Sequence, residues 1–302
     1  MRRVLGPFYT TGAFWFWFAT MAPRYLPGFT FVPVELFFGT LFTCFLGRAR
    51  AAIRSNLVPV LGPCGFWKGQ VRALRTLLNH ALCFGDRYER LARGHRFSVE
   101  VEGREHWEEA AKPGQGILLV TAHLGAWDAM SQLAPAGLSR VLHVVREEEM
   151  EAASQEFIRQ LVREQGAPNC HTHFAGDDPT LGLTLKRALE RGEMVALQGD
   201  RPRAGGRSVT ASLFGRQMDL PVGPAVLARL AGVGMLPVFC FREAHYRYRI
   251  CFRPAIRVAP DTGPAGVEEA TRALGLEIEG AIRRRPHQWF ALAPAWVGGK
   301  VV

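Results

Sequence analysis

The sequence has few cysteines, and their spacing builds no obvious site. Its 302 residues include six cysteines, and no two of them form a C-x-x-C pair. Disulfide frameworks and zinc ribbons are therefore poorly supported, and free thiols in a reducing compartment, or at a membrane face of one, are expected. The chain also lacks internal repeats, long low-complexity tracts and a G-x-S-x-G nucleophile elbow. No serine or cysteine is thus presented as a nucleophile in that way.

Acidic residues are in the minority. The 27 Asp and Glu face 37 Lys and Arg, which gives a formal net charge of +10. Such a balance suits nucleic acid, an anionic membrane surface or an acidic partner. The arginines are dispersed rather than interleaved with aromatic residues on one predicted sheet face, which disfavours a nucleic-acid platform. With 48% hydrophobic residues, the chain can bury the core of one large domain with an appendage.

No apolar run reaches the about 20 uninterrupted residues that a membrane-spanning helix prefers. Two shorter apolar stretches, Gly12 to Ala22 and Phe29 to Leu46, are separated by prolines, and the second contains Pro33 and Glu35. Tryptophans and flanking arginines suit a membrane interface with anionic headgroups. Residues 1–50 are predicted to anchor the protein as a monotopic hairpin, an interfacial segment or one tilted span, and residues 51–302 to form the catalytic domain. The alternative is a helix packed wholly on its own domain.

From Phe97 onwards, strands alternate with helices, which predicts an α/β fold with a central, mostly parallel sheet flanked by helices. A long helix running from Pro63 towards Leu91 precedes this region. The predicted strands are Phe97 to Val101, Gly116 to Thr121, Val141 to Val145, Met194 to Gln198, Met235 to Phe241 and Tyr246 to Phe252. The predicted helices are Ala126 to Ala134, Glu148 to Gln165, Pro179 to Arg191, Pro224 to Ala231 and Pro264 to Arg285.

The stretch LLVTAHLGAWDAM places His123 five positions before Asp128. In one straight helix these positions point about 140° apart, so the side chains could not meet. They can meet where a strand turns at Gly125 into a helix, at the sheet edge where α/β folds bind ligands. A carboxylate held against one imidazole nitrogen then leaves the other nitrogen to remove a proton, and the attacking group would come from the substrate. The alternative is a histidine that ends a strand and an aspartate that caps a helix.

A second polar segment follows the strand that ends at Gln198. Gly199, Asp200 and Arg201 come directly after it, and Arg207 follows a glycine pair. Arginine forks and exposed backbone amides suit phosphate oxygens, so this segment is predicted to bind substrate, with a solvated basic loop as the alternative. Asp200 is expected to orient Arg201, because Asp128 already serves His123.

A rival enzyme class rests on the run CHTHFAGDD, which is predicted to be a loop. Its residue types could ligate a metal, although no defined spacing such as H-E-x-x-H is present. The rival is a metal-dependent phosphoesterase using His171, His173 and Asp177 or Asp178 with His123. A non-catalytic membrane-binding protein is a further alternative. The closing aromatics Trp289, Phe290 and Trp296 are expected in the core or an interface, and His143 is expected to be a structural histidine.

The ordered set of motifs is more specific than any one of them. H-x4-D after one strand, QGDRP after another and the run FGRQMDLPVGPAVLARLAGVGMLPVFCFRE resemble the bacterial lipid A biosynthesis acyltransferase family, within the glycerophospholipid acyltransferase superfamily. The resemblance extends from the apolar N-terminus to RRRPHQWFALAPAW. It implies transfer of a fatty acyl group from an acyl carrier protein or coenzyme A thioester to a hydroxyl of a membrane glycolipid. A lipid A precursor is the leading acceptor, and a phosphatidylinositol mannoside or another lipid is the alternative.

The resemblance also implies roles for particular residues. His123 matches the general base, Asp128 its orienting carboxylate, and Asp200 and Arg201 the block after the central strand. Substrate binding is thus predicted for Arg146, Gly199, Asp200, Arg201 and Arg207. No metal and no cofactor beside the acyl thioester is expected, and the protein is expected at the cytoplasmic face of the bacterial inner membrane. Many lipid A enzymes have glutamate where Asp128 stands, a departure that bears on the acceptor more than on the chemistry.

Overall fold

The structure, a computed structural model, describes most of the chain from Pro27 onwards. The described residues are 21, 25, 27–93, 97–126, 140–147, 155–156, 159, 169–176, 178, 180–203 and 205–298. Two predicted segments, Gly12 to Ala22 and Glu148 to Gln165, therefore lie almost wholly outside the described residues. The predicted helix Ala126 to Ala134 also lies outside them, apart from Ala126.

Three helices precede the sheet: α1 (Gly28–Phe45), α2 (Gly47–Leu61) and α3 (Phe66–Arg93). Helix α1 packs closely against α3 at Gly39. A Cβ atom added to Gly39 of α1 would come 3.0 Å from Leu78 of α3, so glycine permits the close approach. Among the described residues, α1 is the one helix long and apolar enough to cross a membrane, and little of it is buried. Length and composition alone are weak grounds for a membrane span.

The remaining elements alternate between strands and helices. They are β1 (Ser98–Glu102), α4 (Arg104–Ala110), β2 (Ile117–Thr121), β3 (Leu142–Glu147), β4 (Cys170–Ala175), α5 (Leu181–Glu190), β5 (Met194–Gln198), β6 (Ser208–Leu213), β7 (Arg216–Pro221), α6 (Gly223–Ala231), β8 (Met235–Ala244), β9 (Arg247–Phe252) and α7 (Gly263–Arg284).

Seven of the strands form one twisted layer in the order β1-β9-β8-β2-β5-β3-β4. Every neighbouring pair is parallel except β8 and β9, which are antiparallel. Strands β2 and β8 are nearly continuous apolar runs, as expected of parallel strands covered on both faces. The predicted fold, a mostly parallel sheet flanked by helices, is confirmed.

Helix α7 illustrates how the sequence dictates the flanking layer. Val267, Ala270, Leu274 and Ile278 recur at helical spacing and are all buried. Pro264 stands in the first turn, where its missing N–H costs nothing, and the helix ends before Pro286. The helix predicted over Pro264 to Arg285 is thus confirmed to within one residue at each end.

Two strand regions escaped prediction. The loop predicted over Cys170 to Asp178 is wrong, because residues Cys170–Ala175 form β4, parallel to β3 at one edge of the sheet. None of the residues of β4 is fully buried, so the strand needs no continuous apolar run. The segment after Arg207 forms the antiparallel hairpin β6–β7 rather than an irregular basic loop. This hairpin packs on α7 at Gly275, where an added Cβ would come 2.7 Å from Leu220.

Candidate active site

The ends of two central strands bring the predicted site residues together. Strands β2 and β5 are parallel neighbours, with Thr121 opposite Gln198. The backbone N–H of Gly199 donates to the carbonyl oxygen of Thr121 at 2.8 Å, which continues the pairing beyond the strands. His123 and Asp200 each stand two residues past their strand. The register therefore places both at the carboxyl-terminal edge of the sheet.

His123 and Asp200 are joined by a hydrogen bond, with 2.8 Å between Nδ1 and Oδ1. The Asp200 side chain is only 2% exposed and that of His123 is 16% exposed. Burial by itself raises the pKa of an aspartate, but the charge and hydrogen bond of His123, with the nearby charge of Arg201, hold the pKa of Asp200 below its ordinary value. The ionised carboxylate can only accept, so Nδ1 donates. In the neutral imidazole, Nε2 is then the basic nitrogen.

The backbone around His123 is fixed from two sides. The N–H of Phe290 donates to the carbonyl oxygen of His123 at 2.8 Å, and the N–H of Ala126 donates to that of Cys240 at 2.9 Å. Gly125 has a φ of +60°, and a Cβ atom there would lie 2.0 Å from the Cys240 carbonyl oxygen. Only glycine fits this turn without displacing β8. These contacts hold the backbone of His123 and of the following turn in one conformation.

A cavity of about 280 Å³ opens beside this pair. Nine of its twelve lining residues have apolar side chains, and the others are Asp200, Arg201 and Asp219. None of the described lining residues is a serine, threonine or cysteine. Asp200 lines the cavity and also accepts the hydrogen bond from His123. The described cavity wall therefore offers no hydroxyl or thiol nucleophile.

The other predicted site residues are placed as follows. Arg146 lies near the carboxyl end of β3, on the same sheet edge but two strands from β2. Arg207 is exposed just before β6, and its carbonyl oxygen accepts from Val222 N–H at 3.2 Å. Gly199 is tightly packed, since an added Cβ would come 2.8 Å from Leu274 and 2.9 Å from Val120. Asp128, the predicted partner of His123, lies outside the described residues.

The sequence did not lead us to expect the hydrogen bond between His123 and Asp200, because Asp200 was expected to orient Arg201. The signal was available: both motifs follow apolar strands by the same two residues, and adjacent parallel strands end at one edge. Sequence reasoning also missed the C-terminal segment around Trp289 and Trp296 as cavity wall. Both tryptophans are buried, as predicted, yet they also line the cavity.

The described histidines of the rival metal site are not brought together with His123, and Asp177 lies outside the described residues. His171 and His173 lie in β4, three strands from β2, so they do not approach His123. His143 is buried and bonded at both ring nitrogens, to His173 at 2.9 Å and to Glu193 at 2.8 Å, as expected of a structural histidine. Among the described residues, no group of three His, Cys, Asp or Glu side chains could hold a metal ion.

Two of the known proteins that are similar to this chain in sequence share one name. Phosphatidylinositol mannoside acyltransferase of Mycobacterium tuberculosis is 27% identical over 200 residues, which are 65% of this chain and 60% of the relative. The chain thus spans about three fifths of the length of these relatives. The protein of the same name from Mycolicibacterium smegmatis is 24% identical over 253 residues, 81% of this chain and 79% of the relative.

The family comparison covers more of the chain. The sequence model of the family described as bacterial lipid A biosynthesis acyltransferase matches residues 4–297. That span includes both strand-end motifs and the C-terminal segment that lines the cavity. This chain therefore belongs to the bacterial lipid A biosynthesis acyltransferase family.

Proposed function

We propose that the protein is a membrane-associated O-acyltransferase that moves a fatty acyl group from a thioester donor to a hydroxyl of a glycolipid. The observation that carries the proposal is the pairing of His123 with buried Asp200 beside a largely apolar cavity. A base without a protein nucleophile suits a reaction in which the acceptor hydroxyl attacks. Family membership supports the same reaction class.

In this mechanism, Nε2 of His123 takes the proton of the acceptor hydroxyl as its oxygen attacks the thioester carbonyl. The Asp200 carboxylate stabilises the imidazolium that forms and holds the ring in one tautomer. When the tetrahedral intermediate collapses, the carbon–sulfur bond breaks and the imidazolium returns the proton to the leaving sulfur. An ester and a free thiol result. Asp128, the aspartate of the H-x4-D motif, is proposed as a second carboxylate that orients His123.

The donor and the acceptor are assigned by chemistry. Acyl carrier proteins are acidic, so a net charge of +10 suits such a donor, with acyl coenzyme A as the alternative. A lipid A precursor is the acceptor that the family description favours. A phosphatidylinositol mannoside is the second candidate, because the similar proteins named above carry that activity in their names. Both acceptors are glycolipids that lie in a membrane.

The proposed membrane contact is an apolar surface formed by α1 and the beginning of α3. Its exposed side chains are Phe29, Leu36, Phe37, Leu41, Phe45, Phe66, Trp67 and Val71. Exposed cations stand beside it, including Arg48, Lys68 and Arg75. Clustered aromatic and cationic side chains suit the interface of an anionic bilayer. We place the protein on the cytoplasmic face of the bacterial inner membrane, where acyl thioesters are available.

Purified protein in lipid vesicles tests the proposed activity directly. Acyl carrier protein and coenzyme A thioesters would be offered separately, with a lipid A precursor or a phosphatidylinositol mannoside as acceptor. We expect one acyl chain to be transferred to one of the two glycolipids, with release of one thiol for each ester formed. Release of inorganic phosphate without ester formation would instead favour the phosphoesterase.

A conservative change at Arg201 tests its proposed contact with a substrate phosphate. Arg201→Lys keeps the positive charge near Asp200 but removes the planar fork that grips two oxygens. We expect the apparent KM for one substrate to rise by the equivalent of about 1.5–3 kcal/mol, with a smaller fall in kcat. The measurement is steady-state kinetics with donor and acceptor varied separately. Arg216→Lys, at an exposed position on β7 that does not line the cavity, is the matched control. An unchanged KM for both substrates in Arg201→Lys would remove Arg201 from the binding site.

The apolar surface predicts a membrane defect that leaves folding intact. Trp67 is 80% exposed, so Trp67→Ser should not alter packing, but it should weaken binding to anionic vesicles about tenfold. Vesicle sedimentation measures the partitioning. Leu276→Ser is the control, because Leu276 is also exposed, at 65%, but stands on α7. Equal partitioning of Trp67→Ser and the wild type would argue against this contact.

A further inference from the structure

The carboxyl end of β8 extends beyond the strand that pairs with it. The pairing of β2 with β8 ends at Val120, and further along the N–H of Ala126 donates to the carbonyl oxygen of Cys240 at 2.9 Å. Residues two apart in a strand present their backbone groups to the same side, so the groups of Arg242 come next. Its N–H and carbonyl oxygen need partners on that side, as buried backbone groups do.

The side chain of Gln288 supplies both partners. Its Oε1 accepts from the N–H of Arg242 at 3.0 Å, and its Nε2 donates to the carbonyl oxygen of Arg242 at 2.7 Å. A side-chain amide offers an acceptor and a donor side by side, as the peptide group of a neighbouring strand would. Gln288 is 5% exposed, and the guanidinium of Arg242 is itself held by Asp86, with 2.8 Å between Nε and Oδ2. The amide is thus bonded to a fixed part of β8.

The backbone at Gln288 connects these bonds to the turn that follows His123. The carbonyl oxygen of Gln288 accepts from the N–H of Gly125 at 2.8 Å. Two residues later, the N–H of Phe290 donates to the carbonyl oxygen of His123, also at 2.8 Å. Gly125 leaves room for the amide, since an added Cβ atom would lie 3.0 Å from Oε1 of Gln288. Gln288 therefore ties the end of β8 to the segment that holds His123.

We propose that Gln288 is a positioning residue for His123, an inference that rests on the proposed role of His123 as the base. His123 lies beyond the end of its own strand, so its place opposite Asp200 depends on the bonds of its backbone to the C-terminal segment. Gln288 fixes that segment against β8 and acts through Gly125 and Phe290. Positioning matters because a displacement of about 1 Å can lower a rate about 100-fold.

Two substitutions separate the hydrogen bonds of Gln288 from its bulk. Gln288→Glu keeps the shape of the side chain, but its carboxyl group can donate to the carbonyl oxygen of Arg242 only when it is protonated. Burial raises the pKa of a carboxyl group, so this bond is expected at mildly acidic pH and is lost at alkaline pH. Gln288→Met fills a similar volume and makes neither bond at any pH.

Steady-state kinetics at two pH values measure the effect. At about pH 8.5 we expect kcat of Gln288→Glu to lie about 10- to 100-fold below that of the wild type, with KM for both substrates changed less than about threefold. At about pH 6 the ratio of the two kcat values should recover to within about threefold of one, because the carboxyl group is then protonated. Gln288→Met should give a low ratio at both pH values. Taking the ratio at each pH removes the titration of His123 from the comparison.

A destabilised variant with an unaltered site provides the control. Leu189 is 1% exposed, and its backbone packs against Gly116 at the amino-terminal end of β2, at the opposite edge of the sheet from His123. Leu189→Ala should lower the unfolding temperature at least as much as Gln288→Glu, but its kcat ratio should not depend on pH. Proton and nitrogen NMR of labelled histidine detects the proton between His123 and Asp200, and His123→Asn assigns the signal. That signal should change in Gln288→Met and stay unchanged in Leu189→Ala.

The outcomes distinguish this inference from the function on which it rests. If folded Gln288→Met keeps normal kcat and the normal His123 signal, or if the ratio for Gln288→Glu does not recover at the lower pH, Gln288 does not position His123 and the proposed function stands. Equal changes of the signal in Leu189→Ala and Gln288→Met would also overturn the inference. If the wild type transfers no acyl group, the proposed function fails, and the His123 signal, measured without substrate, still decides whether Gln288 positions the histidine.

Discussion

Replacing His123 by asparagine is expected to reduce acyl transfer at least about 100-fold, because general-base catalysis typically supplies that much. Asparagine places an amide nitrogen where the Nδ1 of His123 stands, so the hydrogen bond to Asp200 can persist. It has no nitrogen that takes up a proton near neutral pH. Turnover of the thioester with a glycolipid acceptor measures the loss, and circular dichroism verifies the fold. A folded variant with near-normal turnover would show that His123 is not the base.

The alanine variant should lose activity equally but should also lose stability. Without His123, burial becomes the dominant influence on Asp200, so the pKa of that carboxyl is expected to rise. A raised pKa in the folded state opposes ionisation. The folded state of His123→Ala should therefore lose stability, relative to that of the wild type, as the pH rises above the ordinary pKa of an aspartate. In the wild type the sign is opposite: the lowered pKa of Asp200 favours the folded state above about pH 4. That contribution is lost as the pH falls through the folded-state pKa.

Asp200→Asn is the second change for which we expect a large effect, on the order of 100-fold or more in kcat. An asparagine at this place can accept from Nδ1, but it carries no charge to stabilise the imidazolium. It can instead donate to Nδ1, which moves the ring proton to Nε2 and removes the base. Either arrangement lowers the rate. Steady-state kinetics measure the fall, and nitrogen NMR of labelled histidine reports the tautomer.

Asp128→Asn makes a matched comparison with Asp200→Asn, because each removes the charge of one carboxylate proposed to serve His123 and keeps the shape of the side chain. We expect both to be severe if two carboxylates serve His123. A large loss in Asp128→Asn alone would mean that the bond between His123 and Asp200 is structural. A large loss in Asp200→Asn alone would assign the orienting role to Asp200.

The sequence predicts best those elements whose own residues determine them. Strand β5 was predicted to the residue, and α7 within one residue of each end, because an apolar run and a helical stripe of buried residues are local patterns. Strand β4 carries polar histidines and depends on pairing with β3, so its own residues did not identify it. The hairpin β6–β7 begins among glycines and arginines that are also typical of loops.

The same difference between local patterns and long-range neighbours determines which features of the site the sequence predicts. The turn at His123 follows from a strand, a glycine and the H-x4-D spacing, all within a few residues. The bond to Asp200 joins residues 77 positions apart and depends on which strand lies next to β2. The wall around Trp289 comes from the end of the chain, where the sequence indicates burial but not what the buried groups face. Long-range neighbours such as these are set by tertiary packing.

We propose that this protein adds one acyl chain to a membrane glycolipid and that His123 performs the proton transfer. The most direct test is lipid mass spectrometry of cells that lack the gene and are complemented with the wild type or with His123→Asn. We predict that a glycolipid in the wild-type cells exceeds its precursor by the mass of one fatty acyl chain, and that the precursor accumulates both in cells without the gene and in cells with the variant. Identical glycolipid masses in all three strains would contradict the account.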